Sequence, residues 1–498
     1  MSGITRFATR WRNTIFSAAD HVWLLLLWAV STPIFIGLLG ATDFGIWILI
    51  NAVIGLGGVM SFGFGEATIR YVSKYRGLDQ TGEIRRIVET SLALYVLVAA
   101  LTAAGMFFAA PALAQHAFQQ AGPGAAQTVT ALRLAAAALF ITAWLKTFEA
   151  VVNGFERFDL TAKVGIVTRS FIILANLALA FAGYGLAALI GAAVVGLAGQ
   201  AVALFWICRS RFTPWLRWVS LPDAATVREI WGFSLQTWLQ ITAGATSTVA
   251  DRFVVSILID PAAAGVYAVC LQLAQQTHLL LVRGLAFLLP ATSREVARDG
   301  GSALLRSYRD GCALVLVLAG TIALPLYCLA PQILELWVGA EFARAGAQTL
   351  RIMALYFAVW GSVVPMFNLV NGAGHASWNT AATLCYGATG LALCVLMVPV
   401  SGVEGAAHAR VLALPAYLPI LWALHRFVLG GLGWGISLSA LAWLCVMGGL
   451  AVWLGSLTQA AIPSAWPAVL GAGIGLAVVG LGVALLAMGL GKALARPD

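Results

Sequence analysis

The side chains able to do chemistry stand inside segments that are otherwise apolar. Arg133, Lys146, Arg252, Arg283, Arg351 and Arg410 are basic; Glu149, Asp251 and Glu404 are acidic. A charge at the middle of a membrane helix costs roughly 2.5–3.5 kcal/mol on insertion scales, so such groups are paired or functional. The bases outnumber the acids, so the interior they share suits an anion. An arginine fork in particular suits phosphate oxygens. Asp251 and Arg252 are neighbours in sequence, point about 100° apart on a helix, and need not pair with each other. Lys146 and Glu149 stand at i,i+3 and can pair locally, as can Glu404 and His408 at i,i+4. Arg133 and Arg351 lie near span ends, where snorkelling to water competes with a role in binding. Asp251, Glu149 and Glu404 are the only acids placed to couple movement to an ion gradient.

Uncharged polar residues extend the pattern. At 100° per residue, Gln236, Gln240, Ser247 and Asp251 fall within about 60° of one another. Gln272, Gln276 and Arg283 fall within about 40° on the next helix. Two such stripes predict a wet cavity. Trp144, Trp238 and Trp360 offer flat faces for sugar rings, although interfacial packing accounts for most tryptophans in such chains. No H-E-x-x-H, P-loop, Ser/His/Asp set or paired carboxylates rise above background. The cysteines are scattered without C-x-x-C, so neither a metal, a cofactor nor a disulfide framework is expected. Gly-Ala-Gly-Ile-Gly at Gly471–Gly475, a G-x-x-x-G, reads as helix packing, not a dinucleotide fingerprint.

The elements holding these residues follow from composition. Hydrophobic residues make up 61% of 498 and charged residues 10%, against about 25% charged in soluble domains. The chain reads as an all-α integral membrane protein. About fourteen transmembrane helices are expected, near 20–40, 44–65, 88–110, 129–152, 165–183, 186–207, 230–258, 263–290, 311–330, 347–370, 378–398, 402–425, 434–456 and 466–490. Arg6, Arg10 and Arg12 precede the first, so residues 1–19 read as a cytoplasmic N-terminal tail with an interfacial helix. Of the 29 Lys and Arg, those outside the spans fall on one side, Arg344 excepted, which puts both termini in the cytoplasm. The same bias explains the net charge of +9 without nucleic acid, since no basic stripe is interleaved with exposed aromatics.

Short motifs return along the chain. Ala131-Leu132-Arg133-Leu134 comes back as Thr349-Leu350-Arg351-Ile352, and Val152-Asn153-Gly154 as Val370-Asn371-Gly372. Pro111 answers Pro331, and Gly45 answers Gly265. The repeat predicts two parallel-repeat six-helix lobes around a central cavity, related by an axis along the membrane normal, plus two C-terminal helices. The expected divisions are an N-lobe over 20–207, a cytoplasmic linker over 208–229, a C-lobe over 230–425, the final pair over 434–490 and a cytoplasmic tail over 491–498. Pro33, Pro325, Pro365 and Pro415 mark expected kinks. Loops, the longest near 66–87, 111–128, 208–229 and 291–310, are too short to hold a catalytic domain, so an enzyme is not expected.

Three stretches carry a resemblance: "GATDFGIWILINAVIGLGGVMSFGFGEATIRYVSKYRG" from Gly40, "ADRFVVSILIDPAAAGVYAVCLQL" from Ala250 and "ILELWVGAEFARAGAQTLRIMAL" from Ile333. The chain resembles polysaccharide transporters of the O-antigen flippase (Wzx-like) type, in the multidrug/oligosaccharidyl-lipid/polysaccharide exporter (MOP) superfamily. The resemblance implies a bacterial inner-membrane flippase that moves undecaprenyl-pyrophosphate-linked oligosaccharide from the cytoplasmic to the periplasmic leaflet by alternating access. Its implied surroundings are membrane lipids and the polysaccharide polymerase and chain-length machinery. It assigns cargo contacts to Arg252 and Asp251, with Arg283 and Arg351 after them. Arg133, Arg410, Lys146, Gln240 and Gln276 join them as candidates from their intramembrane position. The alternatives are a lipid II flippase and a cation-coupled multidrug exporter. The exporter needs an acid in the first lobe, and Val22–Gly40 has none.

Overall fold

A computed structural model describes residues 3–120, 123–218, 221–285, 288, 292, 295–296 and 301–494. Side chains at 3–22, 24, 123, 240, 243, 246–248, 301, 459–460 and 489–494 lie outside the description. Most of the described residues are helical, and none of them lies in a strand. Eleven of the helices are long and apolar enough to cross a bilayer. Large apolar side chains stand exposed along them, among them Leu101, Phe108, Val167, Leu396 and Ile474. Water would penalise such surfaces, whereas lipid chains accept them. The protein is an all-α, multi-pass integral membrane protein.

The chain divides into two compact units, residues 1–245 with 260–262, and residues 246–259 with 263–498. The division falls inside one helix, α7 (Ala224–Leu258).

In the first unit, α1 (Gly3–Gly55) breaks at Gly40 (φ 79°, ψ 167°), a conformation that side-chain-bearing residues avoid. Pro33, upstream, leaves no comparable break. Then come α2 (Phe64–Gly77), α3 (Thr81–His116), α4 (Pro123–Gly154), α5 (Phe158–Phe181), α6 (Leu186–Arg211) and α7 (Ala224–Leu258), whose last part belongs to the second unit. The expected loop at 66–87 is therefore mostly helix, and the expected outer loop begins only after His116. The reason is length. At 1.5 Å per residue the 36 residues of α3 reach roughly 54 Å, well beyond a 30 Å hydrocarbon layer. Its charged end projects past the membrane, where hydropathy reads it as loop.

The second unit continues with α8 (Pro261–Gly284), α9 (Gly301–Leu318), α10 (Leu324–Cys328), α11 (Ala330–Val338), α12 (Ala340–Trp360), α13 (Val363–Gly372), α14 (Ala376–Ala413), α15 (Leu418–Ala423), α16 (Trp434–Ala461) and α17 (Trp466–Leu494). Three expected kinks coincide with departures from α geometry. A π segment, Ala319–Ala323, precedes Pro325; a turn at Gly361–Ser362 precedes Pro365; a 3-10 segment, Leu414–Tyr417, holds Pro415. A proline lacks the N–H that would continue the ladder, which explains the clustering. Helix α14 breaks again at Gly402 (φ 60°, ψ −140°).

Element bounds repeat as the motifs do. Gly154 and Gly372 each close a helix, and Phe158 and Ala376 each open the next. Both pairs are separated by the same interval as Asn153 and Asn371.

Packing inside each unit relies on close fit, since lipid leaves little hydrophobic drive between helices. In the first unit Phe205 stacks on Trp218 at 4.3 Å, with Phe148 edge-on to the same indole. In the second, α17 meets the π segment backbone to backbone. A Cβ on Gly480 would come within 2.0 Å of the Gly320 carbonyl oxygen.

Candidate functional site

The strongest polar constellation lies within the second unit, where three elements meet at one carboxylate. Asp251 comes from the last turns of α7, Tyr267 from α8 and Arg410 from the end of α14. Arg410 stands in the last turn of α14, just before the 3-10 segment. Arg410 Nε donates to Asp251 Oδ2 at 2.6 Å and to Tyr267 Oη at 2.8 Å. The Tyr267 hydroxyl in turn donates to Asp251 Oδ2. Arg410 Nη2 also lies 2.6 Å from that oxygen, as an ion-pair contact without a hydrogen-bonding angle. The second carboxylate oxygen, Oδ1, accepts the backbone N–H of Arg252 at 2.9 Å.

Burial makes this pairing consequential. The side chains of Arg410 and Asp251 are 6% and 11% exposed, and Tyr267 is fully buried. Neither charge could be held here alone, because the desolvation cost of each is met only by the other. A tyrosine pair, Tyr356 and Tyr386, joined hydroxyl to hydroxyl at 2.6 Å, packs nearby, with the Arg410 guanidinium 5.8 Å from the Tyr356 ring centre. A cavity of about 20 Å³ is lined by Asp251, Tyr386, Cys394 and Arg410 among others. That is room for one water molecule.

The other candidates fall elsewhere. Arg252 is half-buried, and its Nε is buried without a hydrogen-bond partner among the described residues. Arg283, in the last turn of α8, is exposed and makes no ion pair among the described residues. Gln276 donates to the Gln272 carbonyl at 2.9 Å, leaving its own buried oxygen without a hydrogen bond. The side chain of Gln240 lies outside the described residues. Arg351 reaches the Tyr327 carbonyl at 3.4 Å and lies 5.7 Å from that ring's centre.

In the first unit Lys146 pairs with Glu149 at 2.8 Å, and Gln200 donates to the other Glu149 oxygen at 3.2 Å. Arg133 is exposed, with its guanidinium 4.8 Å from the Phe107 ring centre. Glu404 and His408 are half-buried and form no bond with each other among the described residues. The tryptophans offered for sugar stacking are partly engaged. Trp144 donates to the Trp218 carbonyl, Trp238 stacks on Phe62, and Trp360 stacks on His278 at 3.8 Å.

The acid and the base of the central pair stand out in the sequence, but their meeting does not, because 159 positions separate them. Tyr267 gave no signal at all; it reads as one more aromatic in an apolar helix.

The family model described as polysaccharide biosynthesis protein matches residues 35–346. The chain belongs to that family. Solved structures with the same fold include the lipid II flippase MurJ in an inward closed conformation, at 14% identity and a TM-score of 0.70, covering 96% of this chain and 98% of that one. A multidrug resistance MATE family transporter of the MOP superfamily, inward-facing, matches at 13% identity and a TM-score of 0.63, with 83% and 94% covered. A MOP superfamily transporter from Pyrococcus furiosus matches at 14% identity and a TM-score of 0.59, with 84% and 95% covered. No curated protein matches the sequence. The chain thus has the fold of these transporters.

Proposed function

We propose that the protein is a flippase carrying undecaprenyl-pyrophosphate-linked oligosaccharide from the cytoplasmic to the periplasmic leaflet of a bacterial inner membrane by alternating access. Both termini are cytoplasmic in this reading. This reading takes fourteen crossings, from the eleven long helices among the described residues, two of them doubled at Gly40 and Gly402, and α7. Polysaccharide polymerase and chain-length proteins act downstream.

The observation that carries the reading is the imbalance left after pairing. Asp251 is neutralised by Arg410 and Glu149 by Lys146. Arg252, Arg283 and Arg133 keep guanidinium groups with no carboxylate within ion-pair distance among the described residues. Guanidiniums held in apolar helices without acids favour an anionic partner, and a pyrophosphate presents several oxygens to forked donors. Arg252 is the leading contact and Arg283 the second. The Asp251–Arg410 pair holds the helices that present Arg252. Asp251 and Glu149 are each held by a base and a further donor, so Glu404, with no ion pair among the described residues, is the leading candidate for ion coupling.

The test is export of surface polysaccharide by cells that depend on this protein. Arg252→Ala is expected to abolish export while membrane insertion stays normal. Normal export by that variant would remove Arg252 from the mechanism. Rescue of a strain lacking its lipid II flippase, or of a drug-sensitive strain, would instead favour one of the two alternatives.

A further inference from the structure

A second cationic constellation, in the first unit, takes no part in this reading. Helix α2 buries Phe64, Ala67, Thr68, Val72 and Tyr75 against the protein. With 14 residues it is roughly 21 Å long, too short to cross the hydrocarbon layer. The preceding span ends at Ser61, and the chain enters α2 through the left-handed residues Phe62 and Gly63 (φ 48° and 76°). A short helix directly after a span, with its apolar face on the protein, leaves its charged face at the level of the headgroups.

Its outward face carries Arg70 and Lys74, four residues apart and hence one above the other. Both cations sit 5.7 Å from the centre of the Tyr71 ring. Arg70 also lies 4.4 Å from the Phe233 ring, and Lys74 lies 4.7 Å from the Tyr75 ring. Neither forms an ion pair among the described residues. The acids around them are otherwise disposed. Glu229 accepts the Tyr75 hydroxyl, and its backbone carbonyl accepts that of Tyr71. Glu156 faces Arg76, and Glu66, one turn before Arg70, is exposed and makes no ion pair among the described residues.

Two like charges one turn apart over a shared ring repel each other. A guanidinium seated on aromatic faces keeps its edge donors free, and an ammonium keeps three. An anion between them relieves the repulsion and uses those donors. On α7, Trp231 and Leu235 are exposed and four residues apart, so they share a face and offer an interfacial apolar surface for an acyl chain.

We propose that Arg70 and Lys74 form a binding site for the phosphate of an anionic bilayer phospholipid, seated over Tyr71. The shared chemistry is a lipid-anchored phosphate, and the pyrophosphate of the cargo is its other source. The bilayer lipid is favoured because the two cations stand on an exposed surface helix, outside the membrane-crossing segments.

The experiment places the full-length protein in nanodiscs of mixed phosphatidylglycerol and phosphatidylcholine and measures retained lipid by native mass spectrometry. A basic residue near an anionic surface contributes about 5-fold in lipid affinity. Arg70→Gln and Lys74→Gln are each expected to lower phosphatidylglycerol retention by about 5-fold, and the pair by more. Arg211→Gln/Arg217→Gln, at other exposed bases, is expected to change it less than about 2-fold. The conservative Arg70→Lys is expected to keep most of the retention. Retention unchanged in the double variant overturns the site, and so does an equal loss in the Arg211/Arg217 control, which would mean diffuse surface charge. Displacement of phosphatidylglycerol by equimolar undecaprenyl pyrophosphate, dependent on Arg70 and Lys74, would assign the site to cargo and overturn the phospholipid assignment. The readout involves no transport, so its failure is separate from that of the flippase reading.

Discussion

Replacing Arg410 by Met isolates the energetics of the buried pair. The substitution keeps an apolar side chain in the space but removes the three polar contacts through Nε and Nη2. Asp251 is then left at 11% exposure with the Tyr267 hydroxyl and a backbone N–H as its donors. Removing one partner of a buried ion pair costs about 3–5 kcal/mol, because the remaining charge is desolvated without compensation. Asp251→Asn alone leaves the guanidinium in the same position, with a similar expected cost. The double variant, Asp251→Asn/Arg410→Met, leaves neither charge, and replacement of both partners by neutral groups is often close to neutral. The cycle should therefore be strongly non-additive, with the double variant more stable than either single one. The assay is reversible unfolding of purified protein in mixed micelles, followed by tryptophan fluorescence, for the parent, both single variants and the double. Single variants that each lose less than about 1 kcal/mol, with losses that simply add, would refute the claim that the two charges depend on each other.

Three further outcomes follow from the geometry. Asp223 caps α7 by accepting the Thr226 backbone N–H at 3.0 Å and the Thr226 hydroxyl at 2.6 Å, and it pairs with Arg86 at 2.9 Å. These contacts, Thr226 first, hold its carboxyl well below the usual carboxylate range. A lowered value stabilises the fold above about pH 4, the unfolded value, and that contribution fades as pH falls through the folded one. Proteolysis of the 212–223 segment should rise with acidification in the parent and be less pH-sensitive in Asp223→Asn; equal pH profiles would contradict the cap. Gly480→Leu should cost about 1–3 kcal/mol by forcing α17 off the Gly320 backbone, seen as a lower unfolding midpoint, whereas Gly475→Leu, with nothing within 4 Å, should change little. Glu149→Gln, which breaks the Lys146 pair, is expected to leave export under an imposed proton gradient unchanged, and a slowed rate would assign the coupling to Glu149.

Much of the fold was legible because a bilayer enforces simple rules. Long apolar segments must be helices, and repeated motifs at one interval predict repeated helix bounds, as at Gly154 and Gly372. Proline positions forecast the irregular segments near 325, 365 and 415, but Pro33 leaves no break and the adjacent break belongs to Gly40. What hydropathy misread were polar helices. Helix α2 and the start of α3 carry charges on faces that meet water or headgroups, so their composition imitates a loop. In the candidate site, spacing alone gave the Lys146–Glu149 pair, since i,i+3 neighbours meet on any helix. The Asp251–Arg410–Tyr267 cluster was illegible for the opposite reason: its members come from three helices, and no local period links them. Arg410 appeared only as one of several bases inside spans.

The most direct test of the central claim, that unpaired guanidiniums in the spans receive a pyrophosphate, is a flipping assay with purified protein in liposomes. The fluorescent cargo is offered as a prenyl pyrophosphate-linked oligosaccharide or as the same oligosaccharide on an uncharged prenyl ether. The parent protein should move the pyrophosphate form at least about tenfold faster, a difference of about 1.4 kcal/mol in barrier, and Arg252→Ala should erase that preference. Equal rates for the two cargoes in the parent, or an undiminished preference in Arg252→Ala, would contradict it.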